Sequence, residues 1–388
     1  MGKVLAGDNP ETIEWALPSE DDERYQFLAG CVELVQALDI GPTFETRLPL
    51  VFDCTNSGLQ HLAAMRRDRT EGRWVNLCKP LEGGPVSVTL QEGDVIDAEV
   101  EGNELSDFYG IMAVALWKRL QGESPALLDL LDGPLDRKIL KTPVMSYFYG
   151  ATVKGMSDQI ADEIRARNKK LRRDRKPPIP IRGILYGEFV DTFLPYKLAE
   201  ILYALLEQQG APKAAGTRNH LIKLAELSTE HQKILRFDTS LGLSVINSYF
   251  YADVERLVCP GRYGRRRDIM VAIGETDEIN EDRAENAIAA NFVHSADATL
   301  LHLIAIGAAK KSVPMLSIHD CFATSAPFGA TLNEIVPDCF SRLHRHNWLN
   351  TIWQAVRKML PKGVTMPPRL EVGDLDLNEV KSNPFFIN

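Results

Sequence analysis

Two aspartates close apolar runs of the chain. Asp53 follows the run Leu48–Phe52 and is itself followed by CTNSG and a helix-like stretch. A strand end fixes a carboxylate while the turn beyond it stays open, which suits a hard cation. The same residue serves equally as a turn or N-cap Asp. Asp320, in IHDCF, stands after a second apolar run at the tip of a tight hairpin and is open to the same two readings. If the fold joins them, two such carboxylates can hold a pair of Mg2+ ions about 4 Å apart for in-line phosphoryl displacement. Arg137, Lys141, Met145 and Tyr149 form a third group, one slowly turning stripe on a helix. Two cations, a soft apolar group and an aromatic hydroxyl suit a nucleotide, with charge for phosphates and a flat floor for base and sugar. A solvated basic face whose Met and Tyr pack inward has the same pattern. His61 and His294 read either as core or helix-start imidazoles or as site groups.

The elements that must position these groups follow from hydropathy periods. Arg24–Leu38 carries an apolar helical stripe that Gly41-Pro42 ends. Leu48–Phe52 predicts a short buried strand, and Gly58–Arg67 a helix. Residues 80–104 predict strands and turns, and Leu105–Leu120 a helix. Residues 151–176 predict a helix stopped by Pro177, Pro178 and Pro180. Tyr196–Gln209 and Thr217–Leu235 are helical by period. Leu243–Tyr251 and Asp268–Ile273 bracket GRYGRRR at 261–267 as a long hairpin with a basic tip. Ser295 reads as the N-cap of a helix through Lys310. Met315–Ile318 and Cys321–Ser325 predict a hairpin turning at His319-Asp320.

Composition narrows the classes. The chain has 388 residues, 45% of them apolar, which excludes disorder and collagen-like or coiled-coil architecture. Its net charge of -9 does not favour a protein that simply coats nucleic acid. Local patches decide that question, and one exists: Arg165–Lys176 holds eight Lys or Arg, with Arg172 and Arg173 central. A second lies at Arg265, Arg266 and Arg267. Six cysteines are too sparse for a disulfide framework and imply a reducing, cytoplasmic setting. No apolar run approaches a membrane span and no signal peptide is visible, so no membrane association is expected.

At this point the residues carry a family resemblance. DCTNSGLQHLAAMRRD at 53–68, RKILKTPVMSYFYG at 137–150 and SIHDCF at 317–322 resemble motifs A, B and C of the single-subunit RNA polymerases of bacteriophages and mitochondria. NFVHSAD at 291–297, FDTSLGLSV at 237–245 and GDLDLNEVKSNPFFIN at 373–388 resemble further segments of that family, in the family's order. The resemblance implies an α+β right-hand polymerase with an antiparallel palm sheet and mostly helical fingers. Residues 1–80 would hold the first palm part, 81–290 the fingers with the basic-tipped hairpin, and 291–388 the second palm part and the tail. Asp53 and Asp320 would bind two Mg2+ ions, with the Cys54 carbonyl as an extra ligand. Arg137 and Lys141 would hold the triphosphate, beside Met145. Tyr149 would close the nucleotide pocket, and His294 would approach the ribose 2′-OH. His319 would support the primer end. Gly58 stands where related DNA polymerases carry a Glu that blocks a 2′-OH, and Cys321 where they carry a second acid; both favour ribonucleotides. Arg172, Arg173, Arg265, Arg266 and Arg267 would contact nucleic acid.

The sequence also departs from the family. Pro143 lies inside motif B, so its helix either starts near Lys141 or kinks. Only 52 residues precede Asp53, so a thumb and an N-terminal domain are expected to be lacking. A second polypeptide would supply them, as in phage polymerases split over two chains, with a promoter factor or single-stranded-DNA-binding protein as a further partner. DNA template, RNA product and ribonucleoside triphosphates complete the expected partners, in the cytoplasm of a phage-infected bacterium. A catalytically silent nucleic-acid-binding scaffold and a primase-like nucleotidyltransferase are the alternatives.

Overall fold

Residues 52 and 322 are distant in sequence and adjacent in space, and that pairing organises the molecule. The computed structural model describes residues 24–387 except 47, 80–85, 91–93, 99–105, 129, 132–134, 136, 186–187 and 261–265. In chain order the principal elements begin with α1 (Arg24–Ile40), β1 (Pro49–Phe52), α2 (Ser57–Arg66) and α3 (Arg69–Trp74). The hairpin β2 (Val86–Leu90) and β3 (Asp94–Ala98) follows, then α4 (Phe108–Glu123), α5 (Pro125–Leu128), α6 (Arg137–Phe148) and α7 (Val153–Arg173). Hairpin β4 (Arg182–Leu185) and β5 (Glu188–Phe193) leads to α8 (Leu194–Leu205) and α9 (Pro212–Glu230). Two more antiparallel pairs are β6 (Leu235–Asp238) with β7 (Ser244–Asn247), and β8 (Phe250–Pro260) with β9 (Arg266–Ile279). The chain closes with α10 (Glu281–Lys310), β10 (Leu316–Ile318), β11 (Cys321–Ser325), α11 (Gly329–Leu343) and α12 (Trp348–Met359). The fold is α+β.

The central sheet is antiparallel, in the order β1-β11-β10. Phe52 pairs with Phe322, and Ile318 pairs with Cys321 across the two-residue turn His319-Asp320. That register sets Asp53 and Asp320 at the same end of the sheet. Phe322 and Thr324 face the core, while the opposite face carries Val51, Leu316 and Ile318 in solvent, the last two 68% and 74% exposed.

α10 runs through the core, where its Ile288, Phe292, Val293, Leu300 and Ile304 are buried. Each such side chain contributes roughly 2 kcal/mol over its exposed state. α10 is long and apolar enough to cross a membrane by length and composition. Its packing against α2, α9 and α11 gives that apolarity a core role instead.

Local signals explain where most elements stop, and they correct two boundaries. α10 begins at the N-cap Asn280, whose side chain accepts from the Arg283 amide, with Glu281 and Asp282 in the first turn. Ser295 is therefore not a cap. It sits in mid-helix, buried, and its hydroxyl donates to the Phe292 carbonyl. The predicted helix Thr217–Leu235 is shifted too: Pro212 opens α9, and Leu235 already belongs to β6. α6 runs through Pro143, so it does not begin at Lys141. The hairpin before α10 has a different first arm from the one predicted: Ser244–Asn247 of the run Leu243–Tyr251 pair with β6, and β9 pairs with β8, Phe250–Pro260.

Candidate active site

A cavity of about 630 Å3 opens at the end of the central sheet. Five separate parts of the chain line it, one of them α4 through Tyr109. Asp53, Cys54, Thr55, Asn56 and Ser57 come from the β1–α2 turn, Lys141, Met145 and Tyr149 from α6 and its end, and His294 and Asp297 from α10. His319 and Asp320 from the β10–β11 turn complete the polar lining.

The β1–α2 turn is fixed from behind. The Asn56 side chain caps α2 by accepting from the Leu59 amide. Gln60 Nε2 donates to the carbonyls of Val75 and Phe386. Cys54 forms an antiparallel bridge with Ile387, so the C-terminal tail lies against the turn that carries Asp53. Asp320 is held by its turn, in which His319 adopts the left-handed region at φ 54°. A non-glycine residue there is uncommon and is found disproportionately at functional sites.

The electrostatics follow from three acids in one cavity. Burial and then the charge of Asp53 hold the Asp320 carboxyl above the usual carboxylate range, and Asp297 adds to the effect. Burial and then the Asp297 charge also push the Tyr149 phenol up, so it is a neutral hydrogen-bonding group. Its hydroxyl is 2.9 Å from Ser57 Oγ. The Tyr149 ring stands 4.7 Å from the His294 ring, tilted by 31°. Gly58 packs closely here: a Cβ there would lie 3.1 Å from Tyr149 Cζ.

Among the described residues no cluster of three or more His, Cys, Asp or Glu side chains forms a ready metal group. The donor set nevertheless suits Mg2+. Two carboxylates on adjacent turns share a cavity in which the charge of Asp53 raises the energy of the Asp320 carboxylate, a situation a hard divalent cation relieves.

Asp53, Cys54, Lys141, Met145, Tyr149, His294, His319 and Asp320 thus line one cavity, with Gly58 packed beneath Tyr149. Arg137 is not in that lining. It pairs with Asp107 at 2.7 Å and lies over the Tyr109 ring. Arg172 and Arg173 are exposed in the last turn of α7. Arg266 and Arg267 open β9, and Arg265 lies outside the described residues. Sequence reasoning missed Asp297 and left His61 without a role. Asp297 follows His294 by three residues on α10 and so shares its face, a signal hidden by starting that helix at Ser295.

The DNA-dependent RNA polymerase family model matches residues 6–371. The chain is 29% identical over 389 residues to the chloroplastic DNA-directed RNA polymerase 3 of Nicotiana sylvestris, covering 96% of this chain and 35% of that protein. It is 26% identical over 402 residues to the mitochondrial DNA-directed RNA polymerase 1 of Arabidopsis thaliana, covering 99% of this chain and 36% of that protein. It therefore spans about a third of the length of these relatives. With this match across nearly all of its length, the chain belongs to the DNA-dependent RNA polymerase family.

Proposed function

We propose that this chain carries the catalytic site for DNA-templated RNA synthesis from ribonucleoside triphosphates. The observation that carries the reading is the convergence of Asp53, Asp320, Lys141, Tyr149 and His294 on one cavity. In this reading β1, β10 and β11 belong to the palm, in residues 1–80 and 291–388, and residues 81–290 form the fingers. Asp53 and Asp320 would hold two Mg2+ ions, with the Cys54 carbonyl at hand. Bound there, the ions supply activation of a 3′-hydroxyl and support for departing pyrophosphate.

The chain's own residues do the rest. Lys141 offers the triphosphate a point charge. Arg137, held by Asp107 at the start of α6, can join it on exchanging partners. Tyr149 and His294 wall the sugar, and Gly58 leaves room for a 2′-hydroxyl. His319 faces the primer end. Arg172, Arg173, Arg265, Arg266 and Arg267 would track nucleic acid by phosphate neutralisation. Met145, 38% exposed, gives the base a soft edge.

A second polypeptide is the partner proposed, and the exposed face of Val51, Leu316 and Ile318 is open to it. Six free cysteines fit a reducing cytoplasm, and a phage transcription complex is the setting proposed.

The test is extension of an RNA primer on single-stranded DNA by the purified chain, with Mg2+ and each nucleotide set, beside Asp320→Asn. Template-directed ribonucleotide addition that the variant lacks is the expected result. Equal addition by both proteins removes the assignment. No addition by the wild type, alone and with candidate partner chains, returns the chain to the scaffold reading.

A further inference from the structure

The cavity contains an acid whose placement the two-carboxylate scheme does not explain. Asp297 lies on α10 one turn after His294, and its side chain is 18% exposed in the cavity. Behind it lies a fully enclosed imidazole pair. His61 Nε2 is 2.9 Å from Asp297 Oδ1, and His61 Nδ1 is 2.8 Å from His344 Nε2. His61 is completely buried and His344 is 3% exposed. The two rings pack on Phe340, which in turn packs on Phe386 of the C-terminal tail.

Proton accounting fixes the direction of this chain. Burial holds His344 well below the ordinary histidine range, so it carries one proton. His344 Nδ1 is buried without a hydrogen-bond partner. An orphaned lone pair there costs less than an orphaned N–H, so the proton sits on Nε2 and is donated to His61 Nδ1. His61 Nδ1 then accepts, and His61 Nε2–H donates to Asp297. The reverse order would bury an unpaired His344 N–H and turn a His61 lone pair toward a carboxylate.

Asp297 is therefore oriented by a donor that cannot rotate away, between α2, α10 and the end of α11. Three helices could be joined as well by apolar side chains, without adding a negative charge beside Asp53 and Asp320. That charge has a cost, since it raises the acids of both Asp320 and Tyr149. A solvent-accessible acceptor, held rigid beside the Tyr149–His294 pair, fits a hydroxyl donor.

We propose that Asp297 is a nucleotide-positioning residue that accepts a hydrogen bond from a sugar hydroxyl of the incoming nucleotide, and that His61 and His344 are the brace that holds it. This rests on the polymerase reading of the same cavity. A hydroxyl of a cation-bound water presents the same chemistry, so the test separates the two donors.

Equilibrium titration of the full chain with ATP, 2′-deoxy-ATP and 3′-deoxy-ATP is compared for wild type, Asp297→Asn, His61→Phe and His61→Gln, with and without Mg2+. Asp297→Asn should weaken ATP by about ten- to a hundredfold and the analogue lacking the recognised hydroxyl far less. His61→Phe should reproduce that pattern, and the double variant should be no weaker than either single one. His61→Gln keeps an amide donor and should recover part of the loss. A 15N histidine spectrum should place the His61 proton on Nε2.

Equal weakening of all three nucleotides, or a loss seen only with Mg2+, overturns the sugar contact. Additive effects of the two single variants, or a proton on His61 Nδ1, overturn the brace. Should His61→Phe fail to fold, Asp297→Asn, which faces the cavity, decides the sugar contact and the spectrum decides the brace. These titrations need no turnover. A wild type that adds no nucleotide to a primer, alone and with candidate partner chains, would sink the polymerase reading while leaving them to decide the Asp297 contact.

Discussion

Gly58→Ala isolates the packing under Tyr149. A methyl group at position 58 would stand 3.1, 3.2 and 3.3 Å from Tyr149 Cζ, hydroxyl oxygen and Cε2. Ordinary carbon contacts lie near 3.5–4.0 Å, so the ring must retreat by roughly 0.5 Å. It is not free to do so, because Ser57 holds its hydroxyl at 2.9 Å and His294 faces it at 4.7 Å. Overpacking of this kind costs about 1–3 kcal/mol, whereas replacing a helical glycine by alanine gains about 1 kcal/mol. The net loss of stability is then about 0–2 kcal/mol, a fall in Tm of a few degrees. Function should suffer more. Loss of the Ser57 hydrogen bond and displacement of the sugar wall together cost on the order of 1–2 kcal/mol in the transition state, roughly a five- to thirtyfold drop in kcat/KM for a ribonucleotide. The drop should be smaller for the deoxynucleotide, which has no 2′-hydroxyl to misplace. Single-nucleotide addition on a primed DNA template, with rATP and dATP in parallel, measures both. Tyr149→Phe is the companion variant and should lose discrimination more than rate. A Gly58→Ala protein whose Tm and both kcat/KM values match the wild type would refute the reasoning.

Three further outcomes follow from the same geometry. Asp53→Asn and Asp320→Asn should each reduce primer extension by orders of magnitude. Because the folded acid of Asp320 lies above the usual range, its ionised form is destabilising; Asp320→Asn should hold or raise Tm, increasingly as pH climbs through the folded value, and a marked fall in Tm would contradict this. Glu71 is buried against the N-terminus of α9, accepts from the Lys213 and Ala214 amides, and is pushed by burial from 4.5 to about 8. The stability its protonated form contributes is full below 4.5 and lost as pH rises through about 8, with a slope of at most about 1.4 kcal/mol per pH unit. Urea unfolding across that range should show the decline in the wild type and a flatter profile in Glu71→Gln. Phe386→Ala removes a side chain that is 1% exposed and should cost about 3–5 kcal/mol while loosening the Asp53 turn. Extension falling further than the folded fraction explains is the expected signature, and activity tracking the folded fraction alone would count against it.

Much of this site was legible because its acids follow strongly apolar strands. The runs before Asp53 and Asp320 each announce a strand, and the next residue must then sit at a sheet end. The stripe from Lys141 to Tyr149 was legible for the same reason, as helical period alone sets those side chains on one face. Partners from distant elements were not legible. Nothing near Arg137 announces that Asp107 will pair with it, and nothing near His61 points to Asp297 or His344. Ser295 shows the opposite failure: its local suitability as a cap was real, but the helix had already started at Asn280, where Glu281 and Asp282 supplied a stronger signal. A side chain that can cap does so only if the helix has not begun upstream.

The back of the site shows why so many residues away from the chemistry matter to it. Placing Asp53 and Asp297 in the cavity of Asp320 raises the energy of the Asp320 carboxylate, so the turns carrying these groups must be held by something else. For Asp53 that support is the tail: Ile387 bridges Cys54, the Phe386 carbonyl accepts from Gln60, and Asn383 donates to the carbonyls of Asn76 and Cys78. Asn76 in turn donates to Thr55 in the acid-bearing turn. For Asp297 it is the His61–His344 pair under Phe340. Both supports converge on Phe386, which packs on Phe340. The last residues of the chain therefore brace two of the three acids at once, and a change at Phe386 should reach Asp53 and Asp297 together while leaving Asp320, on its own turn, in place.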